Sequence, residues 1–285
     1  MKRHPNHPGL LSTSPSVTEG ARSSGELNAR ARALEVLLQA RIPFVVGGAY
    51  AFCQYTGIFR DTKDLDLFPR RRHALAALEV LDKDGWRTER TNETWIYKAF
   101  KGEWYVDLIF SSGNGVAEVD DDWFHHAIRR KVMGHQVLVA PPEELIWSKA
   151  FVLERERYDG SDVIHLVRGA GARMDWERLL ARFEPHWEVL LSHLLLFRFA
   201  YPCEREVVPQ WVLGRLLGRT HDTLEEGNWP RRVCRGPLLS QVNFKLDVEE
   251  WGYEDGRRVE EERKRAEASE HVPRGEFEAA GSRGG

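Results

Sequence analysis

A pair of aspartates separated by a single leucine is the feature that most constrains this chain. Because side chains alternate along a β-strand, Asp64 and Asp66 would share one face of a sheet, with apolar side chains on the other. Before this acidic strand, the sequence predicts an apolar strand at residues 42–46, a tight turn at a glycine pair, and a helix at residues 49–55. This order of elements is typical of sites that bind phosphate.

A third carboxylate falls on a predicted β-hairpin. Residues 95–100 and 104–110 are rich in aromatic and β-branched side chains and are joined at Lys101-Gly102, which is the pattern of two strands and a turn. Asp107 lies in the middle of the second strand, on the opposite face from its apolar neighbours. Burying an unpaired charge is expensive, so we expect a metal ion or a cation to compensate it.

Two carboxylates on one strand face suit a hard cation. Asp64 and Asp66 point the same way, as the ligands of one octahedral magnesium ion, or of a bridged pair of ions, must do. Oxygen ligands favour magnesium or manganese over zinc, and magnesium takes its remaining ligands from water and substrate phosphates. The alternative interpretation is a solvated acidic strand end.

Three motifs resemble the signature of a known superfamily. They are Val46-Gly47-Gly48, Arg60-Asp61-Thr62-Lys63-Asp64-Leu65-Asp66-Leu67 and Val106-Asp107-Leu108. Their order and predicted secondary structure resemble those of the polymerase-β-like nucleotidyltransferases, most closely the bacterial minimal and abortive-infection-type enzymes. The resemblance covers residues 42–166.

This resemblance implies a fold and a reaction. The expected fold is α/β (α+β), with a polymerase-β-like nucleotidyltransferase core, a mixed sheet and a helical C-terminal domain. The expected reaction moves a nucleoside monophosphate from a nucleoside triphosphate to an acceptor hydroxyl and releases pyrophosphate. Asp64, Asp66 and Asp107 would be the catalytic residues and the ligands of magnesium, with two ions expected and manganese as a substitute. Asp107 would act as the base, or as a ligand of the ion that activates the hydroxyl.

Four further residues are expected to bind the nucleotide: Gly47, Gly48, Lys63 and Lys149. The glycines would let the backbone approach the triphosphate, with amides of the helix N-terminus directed at the phosphates. The superfamily often has serine at the second glycine position, so only backbone donors remain here. Arg60 and Lys63 precede the acidic pair, and each either faces phosphate or is a solvated loop charge.

Lys149 shares a predicted helical face with apolar residues, so its amine emerges from an apolar stripe. We expect it to contact the triphosphate. In the abortive-infection branch, a lysine on an equivalent helix is followed by an arginine and two aspartates, which Arg155, Asp159 and Asp162 resemble. We expect the two aspartates to serve in helix capping and local structure.

Composition and periodicity divide the chain into five segments. The predicted order is a disordered segment at 1–24, the nucleotidyltransferase core at 25–140, a helical domain at 141–217, an aromatic-rich segment packed on the body at 218–255, and a disordered tail at 256–285. The core begins with an amphipathic helix whose polar face includes Arg30. The helical domain begins with a helix predicted to reach residue 156, and residues 242–248 are predicted to form either a strand or part of a helix.

Charge and composition exclude some classes of protein. A net charge of −3 argues against a globally basic nucleic-acid-binding protein, and the basic clusters at residues 70–72 and 129–131 are either acceptor contacts or solvated helix ends. Cysteines and histidines lack metal-ligand spacing. The chain has no apolar run of about 18 residues and no secretory signal pattern, so we expect a cytoplasmic protein without a membrane partner.

The acceptor stays open between a tRNA end, a protein side chain and a small molecule such as an aminoglycoside. An alternative on the same fold is a non-catalytic module that senses nucleotide or serves as a toxin–antitoxin partner. The complete set of three carboxylates favours the enzyme.

Overall fold

The computed structural model describes residues 24–60, 62–225 and 231–270. These residues belong to two compact units, the first ending at Gly227 and the second beginning at Asn228. The predicted N-terminal disorder falls almost entirely outside the described ranges. Within those ranges, no helix combines the length and the apolar character needed to cross a membrane.

The first unit contains a sheet and a series of helices. Its strands are β1 (Phe44–Val46), β2 (Asp64–Pro69), β3 (Arg87–Asn92), β4 (Ile96–Lys101), β5 (Trp104–Ile109), β6 (Ile128–Val132) and β7 (His135–Val139). Its helices are α1 (Ser24–Gln39), α2 (Gly48–Thr56), α3 (Arg71–Lys83), α4 (Asp122–His125), α5 (Pro142–Ala150), α6 (Gly160–Ala170), α7 (Trp176–Arg182), α8 (Trp187–Ala200) and α9 (Gln210–Glu225).

The seven strands form one mixed sheet in the order β3-β4-β5-β2-β1-β7-β6. β2 lies in the middle, parallel to β5 and antiparallel to β1. The predicted hairpin is present as β4 and β5, which pair antiparallel from Ile96 opposite Ile109 to Lys101 opposite Trp104. The expected α/β class, with a mixed sheet and a helical C-terminal part, is confirmed.

The buried face of β2 and β5 fixes the register of these two strands. Leu65, Leu67, Val106 and Leu108 share this face, and all four are 0% exposed. Helices α1 and α3 pack against these strands. Each buried leucine contributes about 1.5–3 kcal/mol relative to an exposed one, and a shift of one residue would exchange these side chains for the aspartates. The aspartates are therefore held on the opposite face.

The sequence does not predict the two edge strands, β3 and β6. Their residues are mostly polar and exposed, so neither strand shows the apolar alternation of a half-buried strand. The basic cluster at residues 129–131 lies on β6 and not at a helix end. Exposed arginine and lysine side chains on an edge strand discourage pairing with a further strand.

The other basic cluster, residues 70–72, connects the start of α3 to two neighbouring segments through hydrogen bonds and a ring contact. Arg70 donates to Asp121, and its guanidinium carbon lies 3.7 Å from the ring centroid of Phe124. Arg71 donates to the carbonyl oxygen of Glu93 at 3.1 Å. Much of this cluster therefore has a structural role.

Helix α5 ends at Ala150, so the prediction of a helix reaching residue 156 is wrong. The next residue, Phe151, is buried and stacks on Phe183 with 5.8 Å between the ring centroids. The chain then turns back on itself, with the amide of Asp159 donating to the carbonyl oxygen of Val152 at 3.2 Å. Packing of Phe151 thus overrides the helical pattern of the sequence.

The helices after the sheet belong to the same compact unit, and α6 packs against both α2 and α5. Buried ion pairs connect α5 to α7. Glu144 is 0% exposed and accepts hydrogen bonds from Arg178 and, at 3.2 Å, from Nε of Arg182. Removing one partner of a buried pair leaves an uncompensated charge, so these contacts hold the two helices together.

The second unit is small. Its elements are β8 (Val233–Cys234), β9 (Glu254–Asp255), α10 (Lys245–Glu249) and α11 (Gly256–Glu270), and β8 and β9 pair in parallel. Of the two alternatives for residues 242–248, the strand is wrong, because a turn leads directly into α10. The packing of the aromatic-rich segment on the body stays a prediction.

The predicted disorder of residues 256–285 is wrong for residues 256–270, which form α11. The helix start is fixed by Asp255, whose carboxylate accepts a hydrogen bond from the amide of Arg257 at 2.9 Å. Farther along, Arg263 donates to Glu260 one turn before it, at 2.6 Å. Local charge pairs therefore support a helix that has little apolar periodicity.

Candidate active site

Three carboxylates meet on the face of the sheet opposite the leucine core. Asp66 on β2 lies directly opposite Asp107 on β5 in the parallel register, and Asp64 is two residues before Asp66 on the same face. Each contributes an oxygen atom, and these atoms all lie within 4.8 Å of one another. The structure thus brings together the three residues that the sequence singled out, in an arrangement that suits a hard cation.

Burial and mutual repulsion make this cluster attract protons or cations. Burial, together with the negative charges of Asp64 and Asp107, raises the pKa of Asp66 to about 7. Burial also raises the pKa of Asp107, although Lys98 opposes this effect. Clustered carboxylates with raised pKa values mark a candidate functional site.

Lys98 is a cation beside Asp107, where the sequence predicts a metal ion or a cation without indicating which residue supplies it. It lies on β4 directly opposite Asp107, and its Nζ is 2.8 Å from Oδ1 and 2.9 Å from Oδ2 of that carboxylate. The hairpin pattern contains the signal, because a turn after Lys101 pairs Lys101 with Trp104. Three residues farther from the turn on each strand, Lys98 lies opposite Asp107.

Arg30 positions the loop that leads to Asp64. It is 0% exposed, so the prediction that it lies on a polar helix face is wrong. Its guanidinium donates to the carbonyl oxygen of Thr62 at 2.5 Å and to the hydroxyl of Tyr50 at 3.1 Å. The hydroxyl of Thr62 in turn donates to Asp64. Arg30 therefore links α1, α2 and the loop that precedes Asp64.

A signal for the burial of Arg30 is present in the helix pattern. The buried residues of α1 include Ala33, Leu34 and Leu37, which stand three, four and seven positions after Arg30. This is the spacing of one helix face. An arginine on the apolar face of a helix requires partners in the fold, and the two hydrogen bonds to Thr62 and Tyr50 provide them.

The glycine pair allows β2 to lie close to the start of α2. Gly48 has a φ of +51°, and a Cβ at this position would lie 1.7 Å from Oδ2 of Asp66. A Cβ at Gly47 would lie 2.1 Å from the ring of Phe68. The serine found at the second position in much of the superfamily would not fit here unless Asp66 moved.

Lys149 lies between two aspartates of the segment that follows α5. Its Nζ is 3.2 Å from Asp159 and 2.9 Å from Asp162. Asp159 occupies the N-cap position of α6, but its side chain makes no capping hydrogen bond, so the prediction is right for its position and wrong for a side-chain cap. Burial disfavours ionisation of Asp159, but Arg157 and Lys149 hold its pKa below the usual range.

Arg157, and not Arg155, supplies the arginine of this group. Arg157 donates to both oxygens of Asp159, at 3.1 and 3.0 Å, and its side chain is 69% exposed. The positive charges of Lys149 and Arg157 lower the pKa of Asp66, so both cations act on the acidic cluster. The sequence pattern indicates Arg155, whereas the turn at residues 151–159 places Arg157 on Asp159. No local pattern predicts that turn.

The two cations before Asp64 have different surroundings. Arg60 pairs with Asp162 on α6, and its guanidinium carbon lies 4.7 Å from the ring centroid of Phe52. Lys63 is exposed. Arg60 therefore connects the loop to helix α6, whereas Lys63 is exposed and precedes Asp64 directly in the chain.

The mixed sheet and the acidic cluster fit the polymerase-β-like nucleotidyltransferase fold that the three sequence motifs resemble. The chain belongs to a family described as uncharacterised nucleotidyltransferase, whose model matches residues 20–199. It matches no curated protein. The narrower resemblance to abortive-infection-type enzymes stays a prediction.

Solved structures of nucleotidyltransferases show a distant similarity. The antibiotic-resistance factor ANT(2'')-Ia is 15% identical, with 60% of this chain and 98% of that chain covered and a TM-score of 0.45. An antigenic nucleotidyltransferase-like protein from Paracoccidioides brasiliensis is 17% identical, with 65% and 92% covered and a TM-score of 0.43. The lincosamide antibiotic adenylyltransferase LnuA is 15% identical, with 52% and 98% covered and a TM-score of 0.37. Similarity at this level carries no argument about substrates.

The contact between Gly48 and Asp66 can be tested with an alanine at each end of α2. Gly48→Ala should destabilise the protein more than Gly57→Ala. Both glycines have positive φ values, of +51° and +70°, so both variants acquire backbone strain of about 1–2 kcal/mol. A Cβ at Gly57 meets no atom within 4 Å, whereas one at Gly48 meets Asp66. Urea unfolding of both variants measures the difference, and equal losses of stability would contradict the close contact.

The raised pKa of Asp66 predicts how the stability of metal-free protein depends on pH. The folded state keeps a proton on Asp66 up to about pH 7, whereas the unfolded state loses it near the usual value of 3.8. The folded state therefore binds more protons over this interval, and Asp66 makes the protein less stable as the pH rises through it. Asp66→Asn removes this effect.

We expect the free energy of unfolding of Asp66→Asn, relative to that of the wild type, to increase when the pH is raised from about 5 to about 8. Urea unfolding in the presence of a chelator, at both pH values, measures this gain. A difference between the two proteins that stays the same at both pH values would show that Asp66 ionises normally.

Proposed function

We propose that this nucleotidyltransferase moves a nucleoside monophosphate from a nucleoside triphosphate to an acceptor hydroxyl, with release of pyrophosphate. The observation that carries this proposal is the cluster of Asp64, Asp66 and Asp107, whose oxygens lie within 4.8 Å of one another. These carboxylates fit magnesium, or manganese in its place, because hard cations prefer oxygen ligands. When bound, such ions would neutralise negative charge on the triphosphate and in the transition state.

Asp107 is the proposed base. As the acceptor oxygen forms its bond to the α-phosphorus, the hydroxyl proton passes to the Asp107 carboxylate, and the bond from that phosphorus to pyrophosphate breaks. Burial raises the pKa of Asp107, so this carboxylate accepts a proton more readily than an exposed aspartate. Lys98 contacts both of its oxygens and so fixes its orientation.

The start of α2 is proposed to bind the triphosphate through backbone amides. The first N–H groups of a helix have no partner within the helix and attract anions. The amide of Gly47 already donates to the carbonyl oxygen of Asp66 at 2.9 Å. The amides from Gly48 onward are therefore the proposed phosphate donors, and Gly47 contributes by letting the backbone pass close to Phe68.

Three side-chain cations are proposed to complete the triphosphate site. Lys149 is held in place by Asp159 and Asp162, and Arg157 projects into solvent beside it. Lys63, exposed and next to Asp64 in the chain, is the third. Arginine and lysine at a phosphate site form charge-assisted hydrogen bonds, which are stronger than neutral ones.

The acceptor stays open between a tRNA end, a protein side chain and a small molecule. The alternative of a nucleotide-sensing module or a toxin–antitoxin partner gains no support from the described residues. Such a module would not need three carboxylates gathered around one point, and keeping them together costs stability because they repel one another.

Replacing the acidic cluster should separate binding from turnover. We expect magnesium-dependent binding of at least one of the four nucleoside triphosphates, and its loss in the variant with Asp64→Asn and Asp66→Asn. Asp107→Asn should still bind but should lose turnover by about 100-fold or more. Titration calorimetry measures the binding, and pyrophosphate release in the presence of candidate acceptors measures the turnover.

Exposed Asp222 on α9 offers a control, because Asp222→Asn should change neither binding nor turnover. A cluster variant that binds triphosphate as tightly as the wild type would contradict the proposed site.

Arg157 and Arg155 form a matched pair for testing the triphosphate contacts. Arg157→Gln should weaken triphosphate binding by about 10- to 100-fold, since a hydrogen bond to a charged group contributes about 1.5–3 kcal/mol. Arg155→Gln should leave binding unchanged, because the aspartate pairs of this group involve Arg157. Fluorescence titration with a labelled triphosphate measures the two dissociation constants, and equal effects of the two changes would rule out a specific role for Arg157.

A further inference from the structure

We propose that Lys98 is a positioning residue that serves as a fixed cation at Asp107, so that the nucleotide complex holds one divalent ion per chain and not two. This inference rests on the proposed function, because it concerns the metal site of that reaction. It departs from the pair of ions that the superfamily resemblance implies.

The geometry of the ion pair carries the inference. The Nζ atom of Lys98 is almost equidistant from the two oxygens of Asp107, at 2.8 and 2.9 Å. The ammonium group therefore occupies the position where a metal ion would lie if both oxygens of Asp107 bound it. Asp107 can still offer an outer lone pair, but it cannot chelate an ion on the side where the ammonium lies.

The surroundings of Lys98 keep the ammonium at this place. Its side chain is only 25% exposed, and that of Asp107 is 10% exposed. Pairing of β4 with β5 places the two residues directly opposite each other, and the Nζ atom lies 5.0 Å from the ring centroid of Tyr105. Moving the lysine away would leave a nearly buried carboxylate without its partner, which is strongly unfavourable.

The charges of the site balance with a single ion. Asp64, Asp66 and Asp107 together carry three negative charges, and Lys98 with one divalent ion supplies three positive charges. Lys149 and Arg157 are then available for the triphosphate. A second divalent ion at Asp107 would stand next to the ammonium group and be repelled by it.

The competing arrangement is one in which Lys98 leaves Asp107 when metal binds. Glu89 on β3 lies opposite Lys98 in the register of the next strand pair and would be the alternative partner. In that case, two ions would bind to the wild-type protein. Counting bound ions therefore distinguishes a fixed lysine from a displaced one.

The experiment counts manganese ions bound to the full-length protein by electron paramagnetic resonance, with a triphosphate analogue whose α–β bridge is a methylene group. No turnover is required. We expect one ion per chain for the wild type and two for Lys98→Met, which frees both oxygens of Asp107. Lys98→Arg keeps a cation at Asp107 and should bind one ion. Lys101→Met, a control on the same strand, should also bind one.

Each outcome decides the inference. Two ions in the wild type, or one ion in both the wild type and Lys98→Met, overturns it and leaves the proposed function intact. If Lys98→Met does not fold, the wild-type count decides alone, with one ion in support and two against. Binding of the analogue without any manganese, or no binding at all, overturns the proposed metal–triphosphate site itself, and the inference with it.

Discussion

The parallel pairing of β2 with β5 is the constraint on which the candidate site depends. It sets Asp66 opposite Asp107, while the same pairing buries Leu65, Leu67, Val106 and Leu108 on the other face. Because side chains alternate along a strand, the core and the acidic cluster cannot be changed independently: the register that buries the apolar residues is the one that gathers the carboxylates. The hydrophobic effect thus supplies the energy that holds three like charges together.

That energy has to offset the repulsion among the three carboxylates. Cations around the cluster reduce this repulsion. Lys98 neutralises Asp107 through a cross-strand pair, whereas Lys149 and Arg157 approach from the helical part. The latter two are themselves held by Asp159 and Asp162. Cations paired with further aspartates therefore lie beside the acidic cluster. Lys149 and Arg157 are placed where they could bind a triphosphate.

Much of this arrangement follows from local sequence patterns. The alternation of polar and apolar residues at positions 64–67 predicts a strand, the face that carries the two aspartates and the face that packs on the core. The register of the hairpin is enough to place Lys98 opposite Asp107. Other features depend on contacts between distant segments. Helix α5 ends where it does because Phe151 packs on Phe183, and that turn selects Arg157 over Arg155. No local pattern in the sequence encodes these contacts.

The glycine at position 48 shows how a departure from the superfamily pattern reorganises a site. A serine there would add a hydroxyl for phosphate, but its Cβ would overlap Asp66. The absence of a side chain lets the Asp66 carboxylate approach the start of α2, where unpaired amides favour negative charge. The same amides are the proposed phosphate donors, so carboxylate and phosphate would share one positive helix end. A site of this kind needs cations between its two anions, which is the requirement that a metal ion held by Asp64 and Asp66 would meet.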